Sequence, residues 1–559
     1  MINYNKKIIQ FLNKELNENL NENILKNPPS EEMGDFSFPC FIISKKLKKS
    51  PEEIAKNLEK LIPPKFIEKL VAQGPYLNIY LNKFKFMEST IKKILDEKKS
   101  YGSSNLGKSR KVIIEFYNQN THKVIHVGHL RNTVIGDFLA NIYKFTNYKV
   151  MPVSYLGDIG THVAKSIWAL EKFHKKDKLP KNKGKYIGAI YVEANKKLNE
   201  NKEYKNEVSE VLQKLEKGDS NLTKIWKETR KWSLDEFKDI AKQLNIKIDR
   251  YFLESEVEKP GQKIVDELMN KKLAYKDEGA ILIDLEKYGL KKFLLRKSDG
   301  TSLYSTKDLA LAKIKFDKYQ VDESIYVVGD EQKFYFKQLF KTLEVIGFKK
   351  PMMHVSHGQV KLKDGNMSSR TGKVELYEDF YDKVLQKTIK DLKLRYNTWT
   401  KTKIEVIANK IVIGAIKFTM LNQDSNRDII FDINKALSFE GDTCPYLQYS
   451  NARINSILKK IKPDKPNYKL IKEQVEFKLI KKLFNFPEII QKSKEKNSPH
   501  ILTNYILELA RIFNEFYHSC PINHAEKGLK GARIEIIKAT QQVLTNTFLI
   551  LNIPLPKEM

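Results

Sequence analysis

One stretch, Lys111 to Tyr143, does most to limit what this chain can become. Val112-Ile113-Ile114 is a short β-branched apolar run that leads into Glu115 and Phe116. Such a run reads as a buried parallel strand. A polar turn follows, Tyr117 to Lys123, and then His126-Val127-Gly128-His129-Leu130-Arg131. From Leu130 the apolar residues recur every four positions, at Val134, Phe138 and Ile142, with Ile135, Leu139 and Tyr143 widening the stripe. That is an amphipathic helix. A helix that starts at the end of a parallel strand presents unpaired N–H groups and a positive dipole end, an anion site. Gly128 has no Cβ, so a ribose or base can lie against its backbone. Two histidines three apart also suit a zinc fragment, but no H-E-x-x-H pattern and no Cys pair complete one.

The spacing of the whole segment is more specific than its parts. The order strand, N-x-x-K-x-x-H-V-G-H-L-R, helix resembles the HIGH signature of class I aminoacyl-tRNA synthetases. Gly136-Asp137 and Tyr155-Leu156-Gly157-Asp158-Ile159-Gly160 narrow the resemblance to the arginyl-tRNA synthetase family. The similarity extends over most of the chain. It implies a doubly wound parallel-sheet (Rossmann-like) α/β catalytic domain, a small α+β N-terminal domain and an all-α C-terminal domain. It also implies an activity: ATP-dependent activation of L-arginine and its transfer to tRNA(Arg), with Mg²⁺.

The chain divides accordingly. Residues 1–105 read as a small domain: an amphipathic helix with Ile8, Ile9 and Leu12, a second helix with Ile43, Leu47 and, after Ser50-Pro51, Ile54 and Leu58, and an alternating strand from Tyr76 to Leu81. Met33-Gly34-Asp35-Phe36 and Gly74-Pro75-Tyr76-Leu77-Asn78 resemble the family domain that contacts the tRNA elbow. Residues 106–395 read as the catalytic domain, with a helical insertion over about 165–255. Strand signals resume at Ala280–Ile283 and at Ile325–Val328, which fits continuation of the same sheet. Residues 396–559 read as helical. There Tyr446, Gln448, Tyr449 and Arg453, together with Met559 in the closing Leu551–Met559, lie in text that resembles the anticodon-binding domain and its ending. Aromatics interleaved with Arg can stack on unpaired bases.

The resemblance assigns the chemistry residue by residue. His126 and His129 donate to ATP phosphates, with Gly128 beside them. Met367-Ser368-Ser369-Arg370 resembles the KMSKS loop that closes over the triphosphate. The family's first loop lysine would fall on Asn366, which is neutral, so Lys361, Lys363 and Arg370 are the candidate cations for departing pyrophosphate. Tyr304 and Asp308, four apart on one helical face, form the expected guanidinium site, with Glu254 as a second carboxylate. Glu115, Asn120 and Gln332 are the positions expected to hold the α-amino and α-carboxylate groups. Gln119 departs from the proline common in relatives.

Composition sets outer bounds. The chain has 559 residues, 100 Lys and Arg against 69 Asp and Glu, and a net charge of +31. That excess suits a polyanionic partner. Lysine-rich coding spread evenly along the chain gives the same count. Three cysteines, odd in number and far apart, suit a reducing compartment and no disulfide framework. No apolar run approaches the roughly 18 residues of a membrane span, and nothing resembles a signal peptide. A cytoplasmic, monomeric protein with no membrane contact is expected. A small-molecule adenylating enzyme shares the histidine signature, but it does not account for the helical C-terminal region.

Overall fold

The computed structural model describes residues 4–26, 28–362, 375–462 and 464–559. The chain forms two compact units: Met1–Gly102 with Arg453–Glu488 and Glu508–Asn546, and Ser103–Ala452 with Ile489–Leu507 and Thr547–Met559.

In the first unit a three-stranded antiparallel sheet runs in the order Phe36–Pro39, Tyr76–Leu81, Ile67–Gln73. Gly74 turns the hairpin at φ +55°. Helix Lys83–Glu97 starts at Asn82, whose side chain accepts from the Lys85 N–H. Its Phe86 packs 5.8 Å from Tyr4 and 5.1 Å from Phe484. Asn546 Nδ2 donates to the carbonyls of Lys98 and Tyr101, and the Tyr101 hydroxyl to that of Leu483. These bonds explain why the first hundred residues and late helices share one unit, although they are remote in sequence.

The second unit is built on a five-stranded sheet. Its strands are β1 (Lys111–Glu115), β2 (Lys149–Leu156), β3 (Arg250–Leu253), β4 (Glu323–Gly329) and β5 (Met352–His357). All pairs are parallel, and the order across the sheet is β5-β4-β1-β2-β3. The chain therefore winds outward from β1 in one direction and then returns to β1's other side. The switch point lies between β1 and β4, where such sheets bind ligands beyond their carboxyl ends. Helix α1 (Val127–Phe145) connects β1 to β2. It lies close on the sheet because Gly136 has no side chain; a Cβ there would sit 2.1 Å from the Phe116 ring.

Between β2 and β3 stand four helices, Thr161–Phe173, Lys183–Glu200, Tyr204–Glu216 and Ser220–Gln243. Trp168, Ile187, Ile190, Ala194 and Leu198 form their shared core. In the second of these helices Gly184, Ile187, Gly188, Ile190, Ala194 and Leu198 are buried, and Lys183 and Lys196 are exposed. Ala280–Ile283 differs from expectation. It belongs to a separate antiparallel sheet with Tyr275–Asp277 and Phe293–Arg296. Glu278 and Gly279 both take positive φ, 46° and 86°. That two-residue turn folds the strand back on its predecessor before it can reach the parallel sheet.

A buried latch closes the unit. Asp137 on α1 accepts from Lys417 Nζ at 2.9 Å and from Asn552 Nδ2 at 2.8 Å. Lys417 Nζ also donates to the Asn552 carbonyl at 3.0 Å. Lys417 is wholly buried on helix Lys401–Leu421. Burial lowers the Lys417 pKa, and the Asp137 carboxylate opposes that fall. Among the described residues no helix is long and apolar enough to cross a membrane.

Candidate active site

His126 is the residue before the first turn of α1, in extended backbone, and His129 lies in that turn. Their rings stack, with centroids 3.7 Å apart. A Cβ at Gly128 would meet the His126 ring at 2.9 Å. Any side chain at residue 128 would therefore collide with His126, so glycine is what lets the histidine ring lie there. Burial lowers the His126 pKa to about 4. His129 is driven well below its ordinary value by burial, then by His126 and Lys123. Both rings are neutral at physiological pH. The His126 backbone N–H donates to His129 Nδ1 at 3.2 Å. With Nδ1 accepting, the His129 proton is assigned to Nε2, which is left as a donor.

Two clefts meet at this histidine pair. One, of about 440 Å³, opens at the switch point and is lined by Asn118, Gly128, Asn132, Gly329, Glu331 and His357. The other, of about 380 Å³, is lined by Asn120, Lys123, Val124, Ala189, Tyr191 and Leu376. His126 and His129 line both. The loop between β1 and α1 is held in place from below. Tyr117 and His122 both take positive φ, 61° and 63°. Asn132 Oδ1 accepts from the Tyr117 N–H at 2.7 Å. The buried His122 ring is bonded to Thr121 Oγ1 at 2.9 Å and Thr229 Oγ1 at 2.8 Å. Arg131, fully buried, donates to the carbonyls of Gln359, Asp424 and Arg427. It thereby ties α1 to the strands Val360–Leu362 and Ile429–Phe431, which pair in parallel.

A cluster of carboxylates gathers beyond the ends of β1 and β2. Glu115 ends β1, Glu254 opens helix α2 (Glu254–Asn270), and Asp308 lies in the second turn of α3 (Tyr304–Tyr319). Glu115 Oε2 receives Lys315 Nζ at 2.5 Å, and that ammonium also sits 3.8 Å from the Tyr326 ring centroid. Glu254 Oε2 receives Lys307 Nζ at 2.8 Å. Both pairs are buried. Among the described residues Asp308 has no such cation; its hydrogen-bond donor there is the Tyr335 hydroxyl. Burial pushes the Asp308 pKa up to about 7, against the Tyr335 bond, with Glu115 and Glu254 adding to the rise. The Tyr155 hydroxyl is buried without a hydrogen-bond partner among the described residues, in the field of Asp308, Glu254 and Glu115. Two of the three carboxylates are thus matched by lysines, and one is not. Sequence reading gave no role at this site to Lys307, Lys315, Tyr155 or Tyr335, although Tyr155 lies in the segment that narrows the family resemblance. Spacing along α3 marks Lys315 as a neighbour of Asp308's face, but nothing separates it from the chain's many solvent-facing lysines.

The other expected residues fall as follows. Asn120 bridges to Gly157, where a Cβ would sit 2.2 Å from Asn120 Oδ1 and 3.5 Å from Glu254 Oε1. Asn120 therefore borders the acidic cluster, and Gly157 is needed for the approach. Tyr304 opens α3 and is 67% exposed. Gln332 is exposed just past the carboxyl end of β4. Lys361 is paired with Asp428 at 2.7 Å. Lys363, Asn366, Met367, Ser368, Ser369 and Arg370 lie outside the described residues.

On helix Cys444–Lys460, Tyr449 is exposed and Tyr446 partly so. Arg453 lies 5.0 Å from the Tyr517 ring and donates to Asn514. Gln448 does not fit its expected contact with tRNA. It is fully buried, and its Nε2 donates to the carbonyls of Lys410 and Pro554. It clamps the closing segment to helix Lys401–Leu421, because its helical face turns inward where Tyr449's turns outward. Met559 is partly exposed.

Comparison with known proteins agrees with this arrangement. Residues 90–433 match the family model for tRNA synthetases class I (R), catalytic domain. Residues 447–559 match the DALR anticodon binding domain, and 3–81 the arginyl tRNA synthetase N terminal domain. The arginine–tRNA ligase of Clostridioides difficile (strain 630) is 35% identical over 563 residues, covering 100% of this chain and 98% of that protein. The enzyme of the same name from Clostridium acetobutylicum is 36% identical, with 100% of each covered. The solved structure of Thermus thermophilus arginyl-tRNA synthetase superimposes with a TM-score of 0.82 at 25% identity, covering 100% of both chains. The parallel sheet with its stacked histidine pair, the flanking segments and these full-length matches place the chain in the class I arginyl-tRNA synthetase family.

Proposed function

We propose that this chain is an arginine–tRNA ligase that uses ATP to form arginyl-adenylate and passes the arginyl group to tRNA(Arg). The observation that carries the choice of amino acid is the charge balance of the acidic cluster. Glu115 with Lys315 and Glu254 with Lys307 are closed pairs. Asp308 is left for one further cation. A guanidinium fits a carboxylate with two parallel hydrogen bonds, and Tyr304 on the same face supplies a ring. Asn120, Glu115 and Gln332 are proposed to hold the amino and carboxylate ends.

In the first step a carboxylate oxygen of arginine attacks the α-phosphorus of ATP. An O–P bond forms, the bond to the β-phosphate bridging oxygen breaks, and pyrophosphate leaves. His129 Nε2–H donates to the α-phosphate as charge builds, and His126 positions the nucleotide, with Gly128, Met367, Ser368, Ser369 and Arg370 completing its site. Donors fixed before reaction stabilise that charge at little reorganisation cost. In the second step a ribose hydroxyl of the tRNA terminus attacks the carbonyl carbon, AMP leaves with the bonding pair, and the hydroxyl proton passes to the departing phosphate or to solvent. Mg²⁺ enters with ATP as part of the substrate, held mainly by phosphate oxygens and water. Residues 1–105 are proposed to meet the tRNA elbow, and residues 396–559, through Tyr446, Tyr449, Arg453 and Met559, the anticodon side. A monomer in the cytoplasm is the proposed working form.

The test is ATP–pyrophosphate exchange with each of the twenty amino acids, with and without tRNA. Arginine alone should support exchange, and only when tRNA is present. Exchange with citrulline, or robust exchange without tRNA, counts against this reading.

The cation facing pyrophosphate is tested separately. Single-turnover activation should slow about 10-fold in Lys361→Ala or Lys363→Ala, and Asn366→Lys should restore part of the loss. Lys361 is already held by Asp428, so the larger effect is expected from Lys363. Normal rates in both alanine variants would leave Arg370 with Mg²⁺ as the counter-charge.

A further inference from the structure

Asp308 bears the unmatched charge of the acidic cluster, yet its hydrogen bonding among the described residues goes to one neutral group, the hydroxyl of Tyr335. Tyr335 lies in the first turn of helix α4 (Lys333–Val345), which follows β4 past the switch point. Its ring meets Phe293 edge-on at 5.6 Å and Phe336 at 5.5 Å. Aromatic packing from the antiparallel side sheet and from its own helix therefore fixes where the hydroxyl points. Burial, and then Asp308 itself, push the Tyr335 pKa well above its ordinary value. The phenol keeps its proton and can only donate towards the carboxylate.

We propose that Tyr335 is a positioning residue of the guanidinium subsite, orienting Asp308 and holding it as the anion that a cationic side chain requires. This rests on the reading of Asp308 given above. One carboxylate oxygen is occupied by the phenol, which leaves the other oxygen and the remaining lone pairs to face substrate. A donor to the charged form also favours that form.

The groups facing Asp308 come from every surrounding element. Glu115 on β1 and Glu254 on α2 raise its pKa, and Lys315 on α3 lowers it. Tyr155 on β2 and Tyr326 on β4 complete the wall. Burial outweighs them and leaves the carboxyl titrating near neutrality, at about 7. The anion binds a guanidinium and the neutral acid does not. Arginine affinity is therefore full above that pH and lost as pH falls through it. Removing the Tyr335 donor raises the Asp308 pKa further, so the loss begins at higher pH.

The experiment measures KM for arginine and for ATP in tRNA-supported exchange, from about pH 6 to about pH 9, for the full chain and for Tyr335→Phe and Tyr335→His. Tyr335→Phe keeps the ring and its packing. It should raise the arginine KM about 10- to 30-fold, the size of one hydrogen bond to a charged group. The ATP KM should stay within about twofold, and the acid limb of kcat/KM for arginine should move up by about one pH unit. Tyr335→His retains a ring donor and should recover part of both effects. An unchanged arginine KM and acid limb in Tyr335→Phe would overturn the proposal while leaving the activity intact. A parallel rise in both KM values would do the same, since it would mark Tyr335 as packing alone. Absence of arginine-dependent exchange in the unaltered chain would instead remove the activity and this inference together.

Discussion

Asp308→Asn should lower kcat/KM for arginine by about 10³-fold and leave the KM for ATP nearly unchanged. The substitution is almost isosteric, so the pocket keeps its shape and the Tyr335 hydroxyl keeps an acceptor. What disappears is the charge. Glu115 and Glu254 cannot replace it, because Lys315 and Lys307 already neutralise them at 2.5 and 2.8 Å. A guanidinium entering the variant would be buried without a counter-ion, and breaking such a pair costs about 3–5 kcal/mol. The same argument fixes a second readout. Citrulline, neutral and of similar shape, should lose far less than arginine, so discrimination between the two should narrow. A fall of less than tenfold, or unaltered discrimination, would show that the guanidinium is not read by Asp308.

His129→Ala should reduce the rate of adenylate formation by about 10²–10³-fold, the usual loss for one transition-state donor, with ATP affinity falling much less. The donor is neutral, and the structure says why. Burial strips the ring of charge, and a second imidazole stacked at 3.7 Å opposes protonation of either. With the His126 pKa lowered to about 4, the pair stays uncharged throughout the working range. Any acid limb near neutrality should then belong to Asp308 and survive in His129→Ala. Rapid-quench measurement of the adenylate across pH separates the two. An unaltered rate would remove His129 from the chemistry.

The strand, turn and histidine-bearing helix were legible because their signals are local: a β-branched run, a polar turn, then a four-residue stripe. The helical insertion between β2 and β3 was legible for the same reason. What escaped detection depends on partners far apart in sequence. Glu115 and Lys315 are 200 residues apart, and one lysine among 100 basic residues carries no mark of burial. Ala280–Ile283 has the composition of a core strand, and only the positive φ of Glu278 and Gly279 reveals the hairpin that diverts it. Gln448 and Tyr449 are neighbours in one motif, yet one is buried and the other exposed; motif similarity does not report which face of a helix a residue occupies. Most of the acidic pocket was named from family resemblance. The resemblance supplied Asp308 and Glu254 but not the lysines that single Asp308 out.

The latch at Asp137 has a consequence for synthesis. Its amide partner, Asn552, is made 415 residues later. At about 5–20 residues per second, roughly 20–80 s pass between the two on a ribosome. During that interval the helix that starts at the histidine pair carries a carboxylate without its full set of partners, and Lys417 arrives before the carbonyl that shares its ammonium. A chain stalled short of residue 552 would contain every proposed ATP and arginine group and still lack the contact that seats α1. Interrupted translation should therefore yield fragments in which the catalytic helix, begun early, still lacks its last anchoring contact.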